Sequence, residues 1–257
     1  MSYLTAVHTE PGLVKKINQD SLCVMEARTG VGEILMAVIC DGMGGLAKGE
    51  VASASVAQAL SEWFVKELPT QITNDNFWQE IKLRWQQLLL DENQKISRYG
   101  KARGVQLGTT ATAILLLNDE KYLIAHVGDS RVYCLDNQGI RQITEDQTVT
   151  ASEIKAGRLT PQEAETDPRK NVLLQCVGAS PHMKPVMLEG GLQKGQIILL
   201  CSDGFRREIS QEELFEQLRP EMSESEQSMK QNLVQLAEIN KQRQEKDNIS
   251  SILIHIV

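Results

Sequence analysis

Ile34-Leu35-Met36-Ala37-Val38-Ile39-Cys40-Asp41-Gly42-Met43-Gly44-Gly45 runs from seven apolar residues straight into a carboxylate and a cluster of glycines. The apolar part predicts a strand, and the glycines predict a loop whose backbone can approach whatever Asp41 holds. The pattern recurs in Ala125-His126-Val127-Gly128-Asp129-Ser130-Arg131 and in Leu199-Leu200-Cys201-Ser202-Asp203-Gly204. Asp20 follows Asn18-Gln19, and Asp247 stands with Asn248 just before the last apolar run. A carboxylate at a strand end is held by a rigid element and still faces a cleft. Several such groups repel one another unless a hard cation neutralises them, which favours Mg²⁺ or Mn²⁺ on oxygen ligands, the Gly42 carbonyl among them. Asp-Gly is also a common turn dipeptide. On spacing alone, a metal site and a set of plain turns both stay open.

Outward from that stretch, residues 3–8, 21–27 and 34–40 read as strands separated by turns at Pro11-Gly12 and Thr29-Gly30. Residues 50–68 shift to helical spacing, with Val51, Ala54, Ala57, Leu60, Phe64 and Val65 on the inward face and Pro69 as the stop. A second helix is predicted from about Asp75 to Arg98, burying Phe77, Trp78, Ile81, Trp85, Leu88 and Leu89. Residues 111–117, 121–127 and 131–135 look like a meander turning at Asn118-Asp119 and Gly128-Asp129, and a short strand follows at 140–143. Residues 144–185 form a polar excursion with helical pieces at 151–156 and 161–165. Strands at 196–201 and 249–256 flank helices at 211–218 and 224–242. Without repeat or low-complexity linker, residues 1–257 are expected to be one domain.

Composition narrows the function. The 257 residues carry 27 Lys+Arg against 34 Asp+Glu, a net charge of −7 that disfavours a nucleic-acid binder. The longest apolar run, at 34–40, is far short of the roughly 18 residues of a membrane span. No basic-then-apolar leader opens the sequence, so a cytoplasmic protein is expected. The five cysteines form no CxxC pair and the four histidines no HExxH, which argues against zinc and thiol-redox chemistry. Phosphate-loop, GxGxxG and GxSxG templates are also absent.

The ordered set GLVKKINQD (12–20), DGMGG (41–45), GTTAT (108–112), VGDSRVY (127–133), LLCSDGF (199–205) and DNIS (247–250) resembles the bacterial metal-dependent protein phosphatases of type 2C, the PPM family. The resemblance spans essentially the whole chain. It implies an α+β fold, a four-layer α-β-β-α sandwich of two antiparallel sheets flanked by helices, with a flap insertion at about 144–185. The motifs TEDQT (144–148) and PRKNVLLQCVGA (168–179) match the flap's two ends. It further implies hydrolysis of phosphoserine and phosphothreonine in proteins by a water held between two Mn²⁺ or Mg²⁺ ions. Asp41 would bridge the ions, Asp203 and Asp247 would complete one, and Asp20 with the Gly42 carbonyl would serve the other. Asp129, sharing Asp203, would contribute to a weaker third ion. By the same resemblance Asp41, Asp203 and Asp247 would be the catalytic carboxylates, and Lys15 would bind the substrate phosphate.

Three departures from the family pattern stand out. Lys15 replaces the usual Arg, which keeps the charge but loses the two-pronged fork, and Lys16 is a candidate to share the task. Met43 stands where animal members carry a histidine. Arg207 occupies a position that is acidic or amide in many relatives, next to the third ion's place. A non-catalytic phosphoprotein-binding module of the same fold and a metal-dependent phosphodiesterase are the rival readings. A monomer is expected, with phosphoproteins and a Ser/Thr protein kinase as partners.

Overall fold

The computed structural model describes residues 2–43, 48–74, 76–117 and 121–257. Ten strands form two five-stranded antiparallel sheets among these residues. The first sheet has the order β1 (Tyr3–Glu10), β10 (Ile249–Ile256), β9 (Ile197–Cys201), β6 (Arg131–Asp136), β7 (Gly139–Gln142). The second has the order β2 (Ser21–Thr29), β3 (Gly32–Cys40), β4 (Ala111–Leu117), β5 (Lys121–Val127), β8 (Val186–Gly191).

The unbroken apolar run at 34–40 follows from burial on both faces. Leu35, Ala37 and Ile39 point at the opposite sheet and meet Val132, Ile198, Leu200, Ile252 and Ile254. Ile34, Met36, Val38 and Cys40 point the other way, under helices α1 (Gly49–Lys66) and α3 (Phe77–Arg103). The outer face of the first sheet is covered by α6 (Asp203–Arg206), α7 (Gln211–Leu218) and α8 (Glu226–Gln242), through Phe205, Leu214, Leu218, Leu233 and Leu236. The layers are therefore helix, sheet, sheet, helix. Ser210 and Ser225 each close a capping box at the start of α7 and α8.

Four details depart from the sequence-based expectation. The inward face of α1 is Ala52, Ser53, Val56, Ala57, Leu60, Trp63 and Phe64, while Val51 and Val65 are exposed. Two demands set this rotation. Trp63 packs edge-on against Trp85 (5.3 Å between ring centroids, 81°), and Ser53 hydrogen-bonds the Gln19 carbonyl at 2.6 Å. Pro69 does not stop α1; it sits in the first turn of a further short helix, α2 (Leu68–Gln71), where its missing N–H is not needed. Strand β8 was not foreseen, because its half-exposed residues lack a clear alternation. Finally, β5 and β6 are not hairpin partners. The chain leaves the second sheet at Val127 and enters the first at Arg131, so Gly128-Asp129 is a crossover between sheets. The expected start of the second helix at Asp75 and the turn at Asn118-Asp119 lie outside the described residues, as do Gly44 and Gly45.

The polar excursion leaves the first sheet at Gln142 of β7 and enters the second at Val186 of β8. It holds helices α4 (Val149–Lys155) and α5 (Pro161–Thr166), both started by threonine caps, Thr148 and Thr160.

Candidate metal centre

Asp41 hangs from the end of β3 by its backbone. Its N–H donates to Thr110 Oγ1 at 2.8 Å, and its carbonyl accepts from the Thr110 N–H and Thr109 Oγ1, each at 2.9 Å. Ser130 Oγ lies 2.8 Å from Thr110 Oγ1, so the GTTAT segment couples the loop of Asp41 to that of Asp129. Gly42 has no room for a side chain, since a Cβ there would strike the Gln19 and Gly49 backbones. Gly128 holds a φ of +107° against Thr110, and it places Asp129 at the rim between the two sheets.

Asn248 fastens the other side. Its Oδ1 accepts from the Gln19 N–H at 3.0 Å, and its Nδ2 donates to the Pro11 and Ile17 carbonyls at 3.1 and 3.2 Å. The loop carrying Lys15 and the start of β2 with Asp20 are thereby tied to Asp247. Asp203 opens α6 directly after β9.

The five aspartates converge electrostatically. Burial pushes the Asp41 carboxyl well above the ordinary range, and the charges of Asp20, Asp203, Asp129 and Asp247 push it further. Burial raises Asp20 to about 7, aided by repulsion from Asp203 and Asp247 and opposed by the nearby Ser250 and Ser202. Asp129 is likewise raised to about 7, by burial and by Asp203. Both carboxylate oxygens of Asp20 and Oδ1 of Asp203 are buried without a partner that meets hydrogen-bond geometry. Buried carboxylates left this way are costly, and a hard cation is the partner such an all-oxygen set fits. Among the described residues, no three of these groups close into a finished cage. Three cationic side chains stand among them instead, Lys15, Arg207 and Arg206, the last 3.8 Å from Asp129 Oδ2. Lys15 Nζ is 3.1 Å from Asp247 Oδ1, and the Arg207 guanidinium rests on Asp203 Oδ2. Lys16 is exposed, so Lys15 is the lysine turned toward the aspartates.

Beside them opens a cleft of about 1210 Å³, bounded by Asp129, Asp203 and Arg206 on one side and by Thr148, Lys170 and Leu174 of the excursion on the other. Arg131 joins the two banks with a fork onto Asp146, both bonds 2.7 Å. Arg206 adds a contact to Asp146 at 3.4 Å. Sequence reading passed over the partnership of Arg131, Asp146 and Arg206, although two of them lie in quoted motifs. It also passed over Glu245, for which there was no motif signal.

The model of the protein phosphatase 2C family matches residues 14–240. The chain belongs to that family. It is 33% identical over 206 residues to the protein phosphatase PhpP of Streptococcus pneumoniae, covering 80% of each chain. The structure of the serine/threonine phosphatase Stp1 from Staphylococcus aureus superposes with a TM-score of 0.86 at 26% identity, over 100% of this chain and 96% of that one. The catalytic domain of the phosphatase PstP, solved in complex with two manganese ions, superposes with a TM-score of 0.78 at 26% identity, over 99% of this chain and 98% of that one. The sandwich and its flanking helices are thus the family's architecture. No helix among the described residues is long and apolar enough to cross a membrane.

Proposed function

We propose that residues 1–257 form one catalytic unit that hydrolyses phosphoserine and phosphothreonine in proteins with Mn²⁺ or Mg²⁺. The observation that carries this reading is the convergence of five aspartates from both sheets, with the carboxylate oxygens of Asp20 and Asp203 Oδ1 left unpartnered. Asp41, central to the set, would be shared between two ions. Asp20 and the Gly42 carbonyl would hold one, and Asp203 and Asp247 the other. Bound there, such cations lower the pKa of water toward neutrality and neutralise charge on phosphate oxygens.

The chain's own residues supply the rest. Threonines 109 and 110 hold the Asp41 backbone in place. Lys15 reaches the same rim and exchanges Asp247 for a substrate phosphate oxygen, a charge-assisted contact. Met43 has no proton to give, so the leaving serine or threonine oxygen takes its proton from water. The flap bank of the cleft meets the protein part of the substrate. In the cell, such a monomeric phosphatase would reset the targets of a Ser/Thr kinase.

The direct test is phosphate release from phosphothreonine peptides and p-nitrophenyl phosphate by the purified protein with Mn²⁺. Release that stops with a chelator and returns with Mn²⁺ supports the reading. Full metal loading without release from any substrate ends it.

A further inference from the structure

Arg207 is clamped between two carboxylates. Its Nη1 donates to Glu245 Oε1 at 3.0 Å, and its Nη2 meets Asp203 Oδ2. Glu245 has only 2% of its side chain exposed. Its Oε1 also accepts the N–H groups of Lys246 and Asp247, at 2.7 and 2.8 Å. Its Oε2 is buried with no hydrogen-bond partner. One residue earlier, Arg206 donates to the Asp129 carbonyl at 3.0 Å and stands 3.8 Å from Asp129 Oδ2. The end of the site formed by Asp203 and Asp129 therefore carries two guanidinium groups from one helical turn. Asp203 still keeps Oδ1 unpartnered.

We propose that Arg207, anchored by Glu245, is a resident counter-ion that closes the Asp203–Asp129 end to divalent cations, so the chain takes up two such ions and not three, and that replacing Arg207 opens a further cation site on Asp203 and Glu245. The proposal rests on the metal-dependent reading of the site. A guanidinium stays charged at every relevant pH, is tethered, and cannot be removed by a chelator. It engages one oxygen of Asp203 and leaves the other for a shared ion. Without it, Asp203 and the nearly sealed Glu245 lose their counter-charge, and Glu245 keeps only the two backbone N–H donors on Oε1. That arrangement is unstable unless a cation enters.

The test counts ions. Mn²⁺ bound per chain is measured by equilibrium dialysis with elemental analysis, for the wild type, Arg207→Gln and Arg207→Lys. Two ions are expected for the wild type, three for Arg207→Gln, and two again for Arg207→Lys, which restores the charge. Three ions on the wild type, or two on Arg207→Gln, overturns the proposal. Should Arg207→Gln fail to fold, the wild-type count and Arg207→Lys still decide, since three ions on either overturns it. Phosphate release is scored separately. A wild type that binds two ions without hydrolysing any phosphopeptide sinks the phosphatase reading alone, and an active enzyme with three ions sinks this proposal alone.

Discussion

The two banks of the cleft are built on different principles. On the strand-end bank, each aspartate follows or opens a regular element, and backbone hydrogen bonds fix Asp41 from three directions. The flap bank has little interior of its own: α4 buries only Thr150 and α5 only Ala164, while Val172 and Leu174 are about half exposed (48% and 55%). It is fastened at its roots by side chains. His126 Nε2 donates to the Glu145 carbonyl at 3.1 Å, Arg131 grips Asp146, and Gln147 Oε1 accepts the Gly128 N–H at 2.8 Å. Asn93 takes the far root, accepting from the Gly178 N–H and donating to the Ser180 carbonyl. One bank derives accuracy from sheet ladders. The other derives position from a few polar anchors, and its outward surface is left open to suit different partners.

The sharpest way to separate the banks is to disable one without unfolding the protein. Asp41→Asn removes the central charge while keeping the shape, and the phosphatase rate with Mn²⁺ should fall at least a thousandfold, a loss of about 4 kcal/mol. Thermal melts in chelator should show the variant more stable than the wild type, because the repulsion at Asp41 is gone. A variant with near-normal turnover would remove Asp41 from the centre of the chemistry. On the flap bank the order reverses. Arg131→Ala leaves Asp146, whose side chain is 14% exposed, with only the longer Arg206 and Gln142 contacts, and should cost roughly 2–3 kcal/mol in chemical denaturation, with faster proteolysis within 144–185. Unchanged proteolysis would mean the fork does not hold the flap.

A third measurement reads the flap root through pH. The Glu145 carbonyl can only accept, so His126 Nε2 carries the proton and Nδ1 accepts from Thr112, 2.9 Å away. Burial holds this imidazole down to about 4, against about 6.5 in the unfolded chain. The unfolded state therefore binds the extra proton between those values, and stability is full above pH 6.5 and declines as pH falls toward 4. By pH 5 the loss should be about 2 kcal/mol. His126→Gln should erase that part of the pH dependence in urea titrations at pH 7.5 and 5. Equal slopes for both proteins would show that His126 is not the titrating group.

The smallest expected effect lies where the banks meet substrate. Lys15→Ala should raise KM for phosphopeptides about tenfold, the loss of one charge-assisted contact. Lys15→Arg should be tolerated, and Lys16→Ala should change little. A large effect at Lys16 with none at Lys15 would transfer the phosphate contact to the exposed lysine.

These contrasts parallel what could be read from residues alone. Strands with apolar runs were legible nearly to their ends, because burial on both faces leaves no polar interruption. The five aspartates were legible as a set because each ends or opens such a run. Three kinds of feature were hidden. Alternation shows that Val127 and Arg131 lie in strands but not in which sheet, so the Gly128 crossover looked like a hairpin turn. Helical spacing put the inward face of α1 too far toward Val51 and Val65, because the fit of Trp63 against Trp85 and the Ser53 bond to Gln19 that set its rotation exist only in the folded chain. Glu245 belongs to no pattern, since its significance comes from a partner, Arg207, that is distant in sequence and adjacent only after folding.

The pairing of β1 with β10, in which Tyr3 faces Ile256 and Glu10 faces Ile249, has a consequence for synthesis. On the ribosome β1 waits for β10, and with roughly 240 residues between them at about 5–20 residues per second, that wait is on the order of 10–50 seconds. β10 lies between β1 and β9 in the sheet, and Asp247 stands at its entrance. A nascent chain therefore holds Asp20 and Asp41 long before it holds their counterpart across the rim. A chain cut before β10 lacks the Asp247 side of the rim and is expected to release no phosphate.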